Sequence, residues 1–232
     1  VKTNNIVYTK ATETADIDET VTFERAGIRG KSFGASVRMA EKRLELHKEV
    51  EIEAFESPEL AKSGVRYAKI NSSSASYDQI ANKIDLIDSV VINLRTNSTG
   101  SGDPQTIDAT SNRAVFFLDG ETASIDAAAQ PEAANTKLKK LEMTGNVHLV
   151  STETGTSPTT IDAGYAMYEK STDRIELKEG THIVTSASGK TTDVRSNEAV
   201  YDQRALKFAL TGGAEITQET NFIKGDLITA DL

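Results

Sequence analysis

Several residue types are scarce in this chain, and each shortage excludes a class of protein. The 232 residues contain no cysteine and no tryptophan, and only four prolines and three histidines. Without cysteine there is no disulfide, no Cys-ligated metal site and no thiol nucleophile. Aromatic residues make up 6% of the chain, which is few for a conventional sugar-binding or peptide-binding cleft. These shortages point away from enzymes and towards a non-catalytic protein.

Basic residues are in the minority. The 26 Lys and Arg residues stand against 35 Asp and Glu residues, which gives a formal net charge of -9. No basic cluster stands out, so we expect no nucleic-acid partner. No apolar run approaches the ~18 residues that a membrane helix needs, and no signal-like segment precedes Val1. Any anchor or export signal is therefore expected to have been removed from this chain or never to have existed.

A fixed frame of apolar positions recurs along the sequence. Tyr168 has an Ala two residues before it, Leu177 nine residues after it and Ile183 fifteen residues after it. Regular self-similarity of this kind, with variable lengths between copies, is typical of repeat architectures. Five copies are centred on Tyr8, Val37, Tyr77, Tyr168 and Tyr201. A sixth copy begins at Phe116 and ends with residues 143–149, and an insertion separates its two parts.

Apolar and polar residues alternate within each copy. Leu44, Leu46 and Ile52 occupy even-numbered positions, while Glu45 and Glu51 occupy odd-numbered positions between or beside them. A period of two predicts half-buried β-strands, and the polar tracts between the Tyr and Leu positions, such as 78–83 and 169–174, predict hairpin turns. A single hairpin is marginally stable, so about six hairpins are expected to stack into one elongated, antiparallel, all-β domain over residues 1–232.

Three segments interrupt the frame. Residues 95–107 carry Gly and Pro and are expected to form an exposed loop. The Ala-rich tract 120–140 is expected to contain a short helix or to be mobile. Ser57 to Leu60 fits the start of a single helical turn, because Ser is a good N-cap and Pro suits the first helical position.

The apolar stripe of the frame has two interpretations, a core closed by its own side chains and an open trough that holds alkyl chains. Positions two residues after the Leu position are small or charged, as at Lys48, Asp88 and Glu179. A closed core would resist charges there, whereas two splayed sheet halves would let them reach water while apolar side chains line a trough. The residues predicted to line this trough are Tyr8, Ile17, Phe23, Val37, Leu46, Val50, Ile52, Tyr77, Leu86, Val90, Ile92, Phe116, Met143, Val147, Leu149, Tyr168, Leu177, Ile183, Tyr201, Leu210 and Ile216.

Candidate catalytic groups are few. His148 and His182 share one repeat offset, with Glu215 next in the same column. Two His and a carboxylate are a possible zinc ligand set, and the alternative is a polar outer column on a sheet. The sequences at 30–32 and 189–191 end like a phosphate loop but lack its first glycine, so they are predicted turns. We therefore predict no catalytic residues, no cofactor and no metal.

The repeats resemble a known family. Units ending LEMTGNVHLV, LKEGTHIV and LTGGAEIT, an opening such as EAVYDQ and the closing IKGDLITAD are similar to the OstA-like repeat of periplasmic lipopolysaccharide-transport proteins, the LptA and LptC group. The resemblance covers nearly the whole chain and is clearest over 161–232. Residues 6–54 look closer to LptC, so an LptC-like member is favoured.

The resemblance implies a twisted β-jellyroll, open along one edge, whose interior receives the acyl chains of lipopolysaccharide. It also implies that copies in different proteins join end to end through terminal strands into a bridge between the two membranes. LptC-like members carry an N-terminal membrane helix, absent from this chain, and dock to an ABC transporter. The native protein is therefore expected in the periplasm, and an LptC-like member would be tethered to the inner membrane by that helix. The strand edges expected to bind partners carry Ile6 and Val7 at one end and Ile223, Leu227 and Ile228 at the other.

The leading hypothesis is therefore a non-enzymatic scaffold that passes lipid along an apolar groove. The first alternative is a structural or adhesive surface β-solenoid with a closed core. A metal-dependent hydrolase built around His148 and His182 is the third hypothesis.

Overall fold

The computed structural model describes residues 2–3, 5–25, 27–55, 65–97, 104–119, 137–153, 155–187 and 189–231. Every regular element within these ranges is a β-strand, which confirms the all-β prediction. The strands are β1 (Val7–Thr9), β2 (Thr14–Arg25), β3 (Ile28–Arg38), β4 (Arg43–Phe55), β5 (Val65–Ser72), β6 (Ser74–Asp78), β7 (Lys83–Asn97), β8 (Pro104–Asp119), β9 (Lys137–Glu153), β10 (Thr159–Glu169), β11 (Arg174–Lys178), β12 (Thr181–Ala187), β13 (Lys190–Ser196), β14 (Glu198–Asp202), β15 (Lys207–Gln218) and β16 (Asn221–Asp231).

The strands form one sheet in which neighbours in space are mostly neighbours in sequence. The order runs β1-β2-β3-β4-β5-β7-β8-β9-β10-β11-β14-β15-β13-β12. In addition, β16 pairs with β15, and β12 pairs with β10. All the pairings are antiparallel, as hairpin connections require. β6 also pairs with β4 and β7, and it follows β5 after the single residue Ser73. β5 and β6 are therefore two halves of one strand line, and an elongated β-jellyroll is consistent with this connectivity.

Five hairpin turns lie together at one end of the strand lines, where the sequence predicts turns in polar tracts. The β12–β13 and β15–β16 hairpins close at the opposite end. In two of the five turns an Asp carboxylate accepts a hydrogen bond from a backbone N–H three residues on, with Asp78 bound to Ala81 and Asp202 bound to Ala205 at 2.8 Å each. The last residue of each of the five turns has a left-handed backbone. These residues share one offset in the frame and are Glu13, Lys42, Asn82, Asp173 and Leu206, with φ between 49° and 52°.

Each long strand bends near its middle. The register between β7 and β8 shifts between Ile87 and Val90, where Asp88 (φ 58°) and Ser89 (φ 52°) adopt left-handed backbone. An extra residue of this kind is a β-bulge, which bends a strand. At the equivalent place in β9, Gly145 has a φ of 74°, and a Cβ there would lie 2.6 Å from the side-chain nitrogen of Asn112. Glycine is therefore required at that bend.

The bend corrects one sequence-based expectation. Lys48, Asp88 and Glu179 were expected to face inwards with their charged ends at an open seam, but all three side chains are exposed at the bend. Alternation of side chains between the two faces predicts that these three residues point inwards only if the strand is regular through the bend. The bulge breaks the alternation and turns these side chains out, so their charge carries no information about how open the interior is.

The predicted interruptions are shorter than expected where the structure describes them. Residues 95–97 belong to β7 and 104–107 belong to β8, rather than to a loop. Residues 137–140 are the start of β9 and not helix. The remainder of both segments, and Ser57 to Leu60, lie outside the described residues.

Candidate functional site

The inner side of the bends is apolar along the whole described sheet, and we call it the inner face. On the turn side of the bends, large and small residues alternate from strand to strand in registered pairs. Leu86 of β7 lies between Ala75 and Ala114, and both Leu86 and Ala114 are fully buried. Alternation of this kind fills space without overpacking. The row is Ala35, Leu46, Ala75, Leu86, Ala114, Met143, Ala166, Leu177, Ala199 and Leu210.

The residues predicted from the sequence to line a groove fall into two groups with one outlier. The outlier is Tyr8, which is 52% exposed because it lies on β1 at the end of the strand order. Ten predicted residues are buried: Ile17, Leu46, Val50, Leu86, Val90, Ile92, Met143, Val147, Leu177 and Leu210. Ten are half-buried: Phe23, Val37, Ile52, Tyr77, Phe116, Leu149, Tyr168, Ile183, Tyr201 and Ile216.

With the exception of Ile92, the half-buried residues lie farther from the bend than the buried ones. In β7, Leu86 and Val90 flank the bend and are buried, whereas Ile84 and Leu94 towards the two strand ends are half-buried. β4, β9 and β15 repeat this gradient. The inner face therefore has a closed floor along the bends and two walls whose apolar surface becomes more accessible away from the floor.

The wall on the turn side is rich in aromatic residues, and the opposite wall is aliphatic. We call them the turn-side wall and the far-side wall. On the turn-side wall, the row next to the buried Ala and Leu row lies two residues farther from the bend on each strand. It consists of Val37, Leu44, Tyr77, Ile84, Phe116, Leu141, Tyr168, Ile175, Tyr201 and Phe208. The corresponding row of the far-side wall consists of Ile52, Ile70, Ile92, Ala109, Leu149, Ile161, Ile183, Val194, Ile216 and Ile223.

Sequence reasoning missed a row of buried serines at the bends. Ser32, Ser72 and Ser111 each donate a hydrogen bond to the backbone carbonyl two residues on, at 3.1, 2.9 and 3.0 Å. Most buried hydroxyls have a hydrogen-bond partner, and in these three the bond ties the side chain to the bent backbone. Each Ser, like Ser196, precedes the frame Ala by three residues. That constant offset is the signal that could have identified them.

The outer side of the sheet carries charge, as the alternation predicts. Asp85 is 8% exposed and accepts hydrogen bonds from the Arg113 guanidinium at 2.8 and 2.6 Å, with the Lys83 ammonium 3.1 Å away. The hydrogen bond from Arg113 lowers the pKa of the Asp85 carboxyl. A carboxylate held ionised between two cations is a structural ion pair, and it offers no general acid.

The predicted histidine column exists, but it does not form a zinc site. His148 Nδ1 lies 2.6 Å from one Asp162 oxygen, and His182 Nδ1 lies 3.9 Å from the other. Arg195 pairs in register with both His182 and Glu215, and its guanidinium is 3.2 Å from His182 Nε2. A cation therefore occupies the place between the two supposed ligands. Among the described residues no group of three or more His, Asp and Glu side chains is arranged to hold a metal ion.

Among the described residues, one surface cavity does not follow the apolar floor. It has a volume of about 530 Å³ and lies near the N-terminal end, where outer side chains of β2, β3 and β4 meet Lys2 beside Phe23 and Gly30 of the inner-facing row. Its lining is mostly charged or polar and comprises Lys2, Thr22, Phe23, Glu24, Arg29, Gly30, Lys31, Glu51 and Glu53. Such a lining does not suit an alkyl chain, so we place the candidate site on the inner face, which is an extended surface and not a pocket.

No helix within the described ranges is long and apolar enough to cross a membrane.

Two comparisons with known proteins gave matches. Residues 124–232 match the family model described as LptA/(LptD N-terminal domain) LPS transport protein. The chain also resembles the solved structure of LptH, the LptA homologous periplasmic component of the lipopolysaccharide transport device from Pseudomonas aeruginosa, at 14% identity and a TM-score of 0.44, over 66% of this chain and 94% of that one. No curated protein matches the chain in sequence. The family match covers just under half of the chain, and within that half it supports the OstA-like resemblance found in the repeats.

Proposed function

We propose that this chain is a non-catalytic periplasmic component of lipopolysaccharide transport, a single OstA-like domain that holds lipid acyl chains against its inner face. The observation that carries the proposal is the partly accessible apolar row on each wall above the buried floor. All ten residues of the turn-side row are half-buried, and so are six of the ten in the far-side row, where Ile92, Ala109 and Val194 are buried and Ile223 is exposed. Each row crosses ten neighbouring strands and leaves aliphatic or aromatic surface accessible on most of them. A binding surface for alkyl chains needs this kind of accessible apolar area, and a sealed core does not provide it.

Burial of the acyl chains supplies the affinity in this proposal. Each methylene removed from water contributes about 0.8 kcal/mol, so a dozen sheltered carbons contribute on the order of 10 kcal/mol before the costs of association. Attraction of the phosphorylated head group cannot be the main term, because the protein carries a net charge of -9. A smooth aliphatic surface without fixed clamps also suits a lipid that has to move onwards.

The alternative is a structural or adhesive β-solenoid with a closed core. It accounts equally well for the buried floor but gives no role to the accessible rows on the two walls. The lipid-carrying function accounts for both.

Native mass spectrometry of the full chain incubated with purified lipopolysaccharide tests the proposal. We expect adducts of one or more lipid masses on the folded protein. A second sample, incubated with the delipidated core oligosaccharide, should show none, because the acyl chains supply the binding energy. Folded protein that takes up no lipopolysaccharide would favour the closed-core alternative.

The partner contacts of the proposal lie at the two ends of the sheet. β1 and β16 each have one neighbouring strand among the described elements, and a strand with a free edge can accept another strand by backbone hydrogen bonding. The exposed apolar side chains there include Val7 (54%) on β1 and Ile6 (54%) directly before it, and Ile223 (56%) and Leu227 (62%) on β16. Other OstA-like transport proteins would join end to end at these edges.

The finer assignment to an LptC-like member rests on residues 6–54, which lie outside the family match at 124–232. Under this assignment the protein works at the inner-membrane end of the bridge, tethered there and next to an ABC transporter.

Photo-crosslinking tests the end-to-end contact with a second copy of the chain as partner. A photoreactive amino acid at Leu227 of β16 should give a covalent dimer whose crosslink maps to residues 5–9 of the other copy. The same probe at Ile80, which is 71% exposed in a hairpin turn, should give none. Equal yields from the two positions would contradict a contact through the terminal strands.

A further inference from the structure

The outermost inner-facing row of the far-side wall changes character along the sheet. In the N-terminal half this row is apolar, and Leu94 of β7 pairs there with Ala68 and Ile107. Beyond Ile107 the next partner is Ser151 of β9, and the polar character continues to β15. Gln105 of β8 lies two residues beyond Ile107 on the same face, and its side chain reaches Ser151. We call this polar part of the row, together with Gln105, the polar rim, and it consists of Gln105, Ser151, Thr159, Thr185, Thr192 and Gln218, all half-buried.

The side chains of the polar rim face the same way as the apolar far-side wall. Thr159 and Thr185 each lie two residues from Ile161 and Ile183, which pair with each other and pack against the buried core. Residues two apart on a strand share a face. The polar rim is therefore the upper margin of the same surface that we propose to bind acyl chains, and not part of the charged outer side.

We infer that the polar rim binds uncharged polar groups of the lipid whose acyl chains lie on the inner face. These groups are sugar hydroxyls and the amide or ester groups that link acyl chains to a sugar. The inference rests on the proposed function and deepens it. It gives the bound lipid a direction, with acyl chains along the floor and the saccharide end at the far-side margin of the C-terminal half.

Hydrogen-bonding capacity supports this choice. The rim side chains pair across strands, with Gln105 Nε2 to Ser151 Oγ at 2.8 Å, Thr159 Oγ1 to Thr185 Oγ1 at 2.9 Å, and Gln218 Nε2 to Thr192 Oγ1 at 2.9 Å. Each pair uses only part of the capacity of its members, because a hydroxyl has one donor and two acceptor sites. In each pair at least one hydroxyl proton is left for a further acceptor.

The charge of the rim selects neutral groups over phosphate. Its six side chains carry hydroxyls and primary amides and no cation. Lys190, two residues beyond Thr192 on the same face, is ion-paired with Glu219 at 3.4 Å. Among the described residues, a phosphate would therefore find along the rim no cation without a carboxylate partner, whereas a sugar hydroxyl or an amide would find both donors and acceptors.

Two amphiphiles with the same alkyl chain separate the rim from the apolar wall. Dodecyl maltoside carries sugar hydroxyls, and octaethylene glycol dodecyl ether carries a chain of ether oxygens with one terminal hydroxyl. The Thr159→Val, Thr185→Val double variant removes both members of one hydroxyl pair without leaving an unpaired partner, so the fold should tolerate it. Below the critical micelle concentrations, we expect its affinity for dodecyl maltoside to fall about tenfold, and its affinity for the ether to change by less than twofold.

The matched control lies on the same strands and on the opposite face. Ser186 and Thr191 form a similar hydroxyl pair at 2.9 Å on the outer side, so the Ser186→Ala, Thr191→Val variant should bind both amphiphiles as the unmodified chain does. An equal change for both amphiphiles in the rim variant, or none for either, would overturn the inference and leave the proposed function standing. An unmodified chain that binds neither amphiphile would overturn both.

Discussion

The Leu149→Glu variant should lose its affinity for lipopolysaccharide by about a hundredfold or more, because an ionised carboxylate on the apolar wall must be desolvated when a chain covers it. Leu149 is half-buried on the far-side wall, between Ala109 and Ile161. The measurement is the dissociation constant for lipopolysaccharide, with a circular dichroism melt to show that the variant is folded. The location of Leu149 above the floor keeps the cost to stability below that of a buried position.

The neighbouring residue provides the control for that experiment. Val150 is also aliphatic and half-buried, but it follows Leu149 in the strand and so faces the outer side. Val150→Glu introduces the same charge one residue away and should leave lipid affinity within about threefold of the unmodified chain. If both variants lose affinity equally, lipid binding does not depend on the inner face.

The repeat offsets were enough to predict most of the inner face. The Leu and Ile positions of the frame fall on registered rows because each copy has the same number of residues between its hairpin turn and its bend. Leu86 and Leu210, for example, are nine residues after their Tyr and are both fully buried. Hydrophobic periodicity reports burial directly, so this part of the fold is accessible from a single sequence.

The bends were not predicted, because period-two alternation assumes a regular strand. Asp88 has the parity of an inward residue, yet the left-handed backbone at Asp88 and Ser89 exposes its side chain. Glycine marks the bend at Gly145 and Gly212, but charged residues fill the same position in other copies. A conformation that several residue types can adopt at a cost leaves only a weak signal in the sequence.

The polar rim also escaped the sequence analysis, for a different reason. Thr159 and Thr185 are far apart in sequence and become neighbours only because β10 pairs with β12 across the bend. Ser and Thr are common in strands on either face, so neither residue is notable alone. The rim exists only because the strands pair in a particular register. The repeat offsets predict that register for the Leu and Ile rows, but not for residues beyond the last Ile of each repeat.

The Leu86→Ala variant should lower the free energy of unfolding by about 3 to 4 kcal/mol, through lost apolar burial and the cavity left at the floor. Leu86 has no exposed surface and lies in register between Ala75 and Ala114. Because both partners are already small, no large neighbour is available to close the gap. Urea denaturation measures the change, and Ile87→Ala on the same strand is the control. Ile87 is 41% exposed, so its truncation should cost about 1 kcal/mol or less, and equal costs at the two positions would contradict the assignment of the floor.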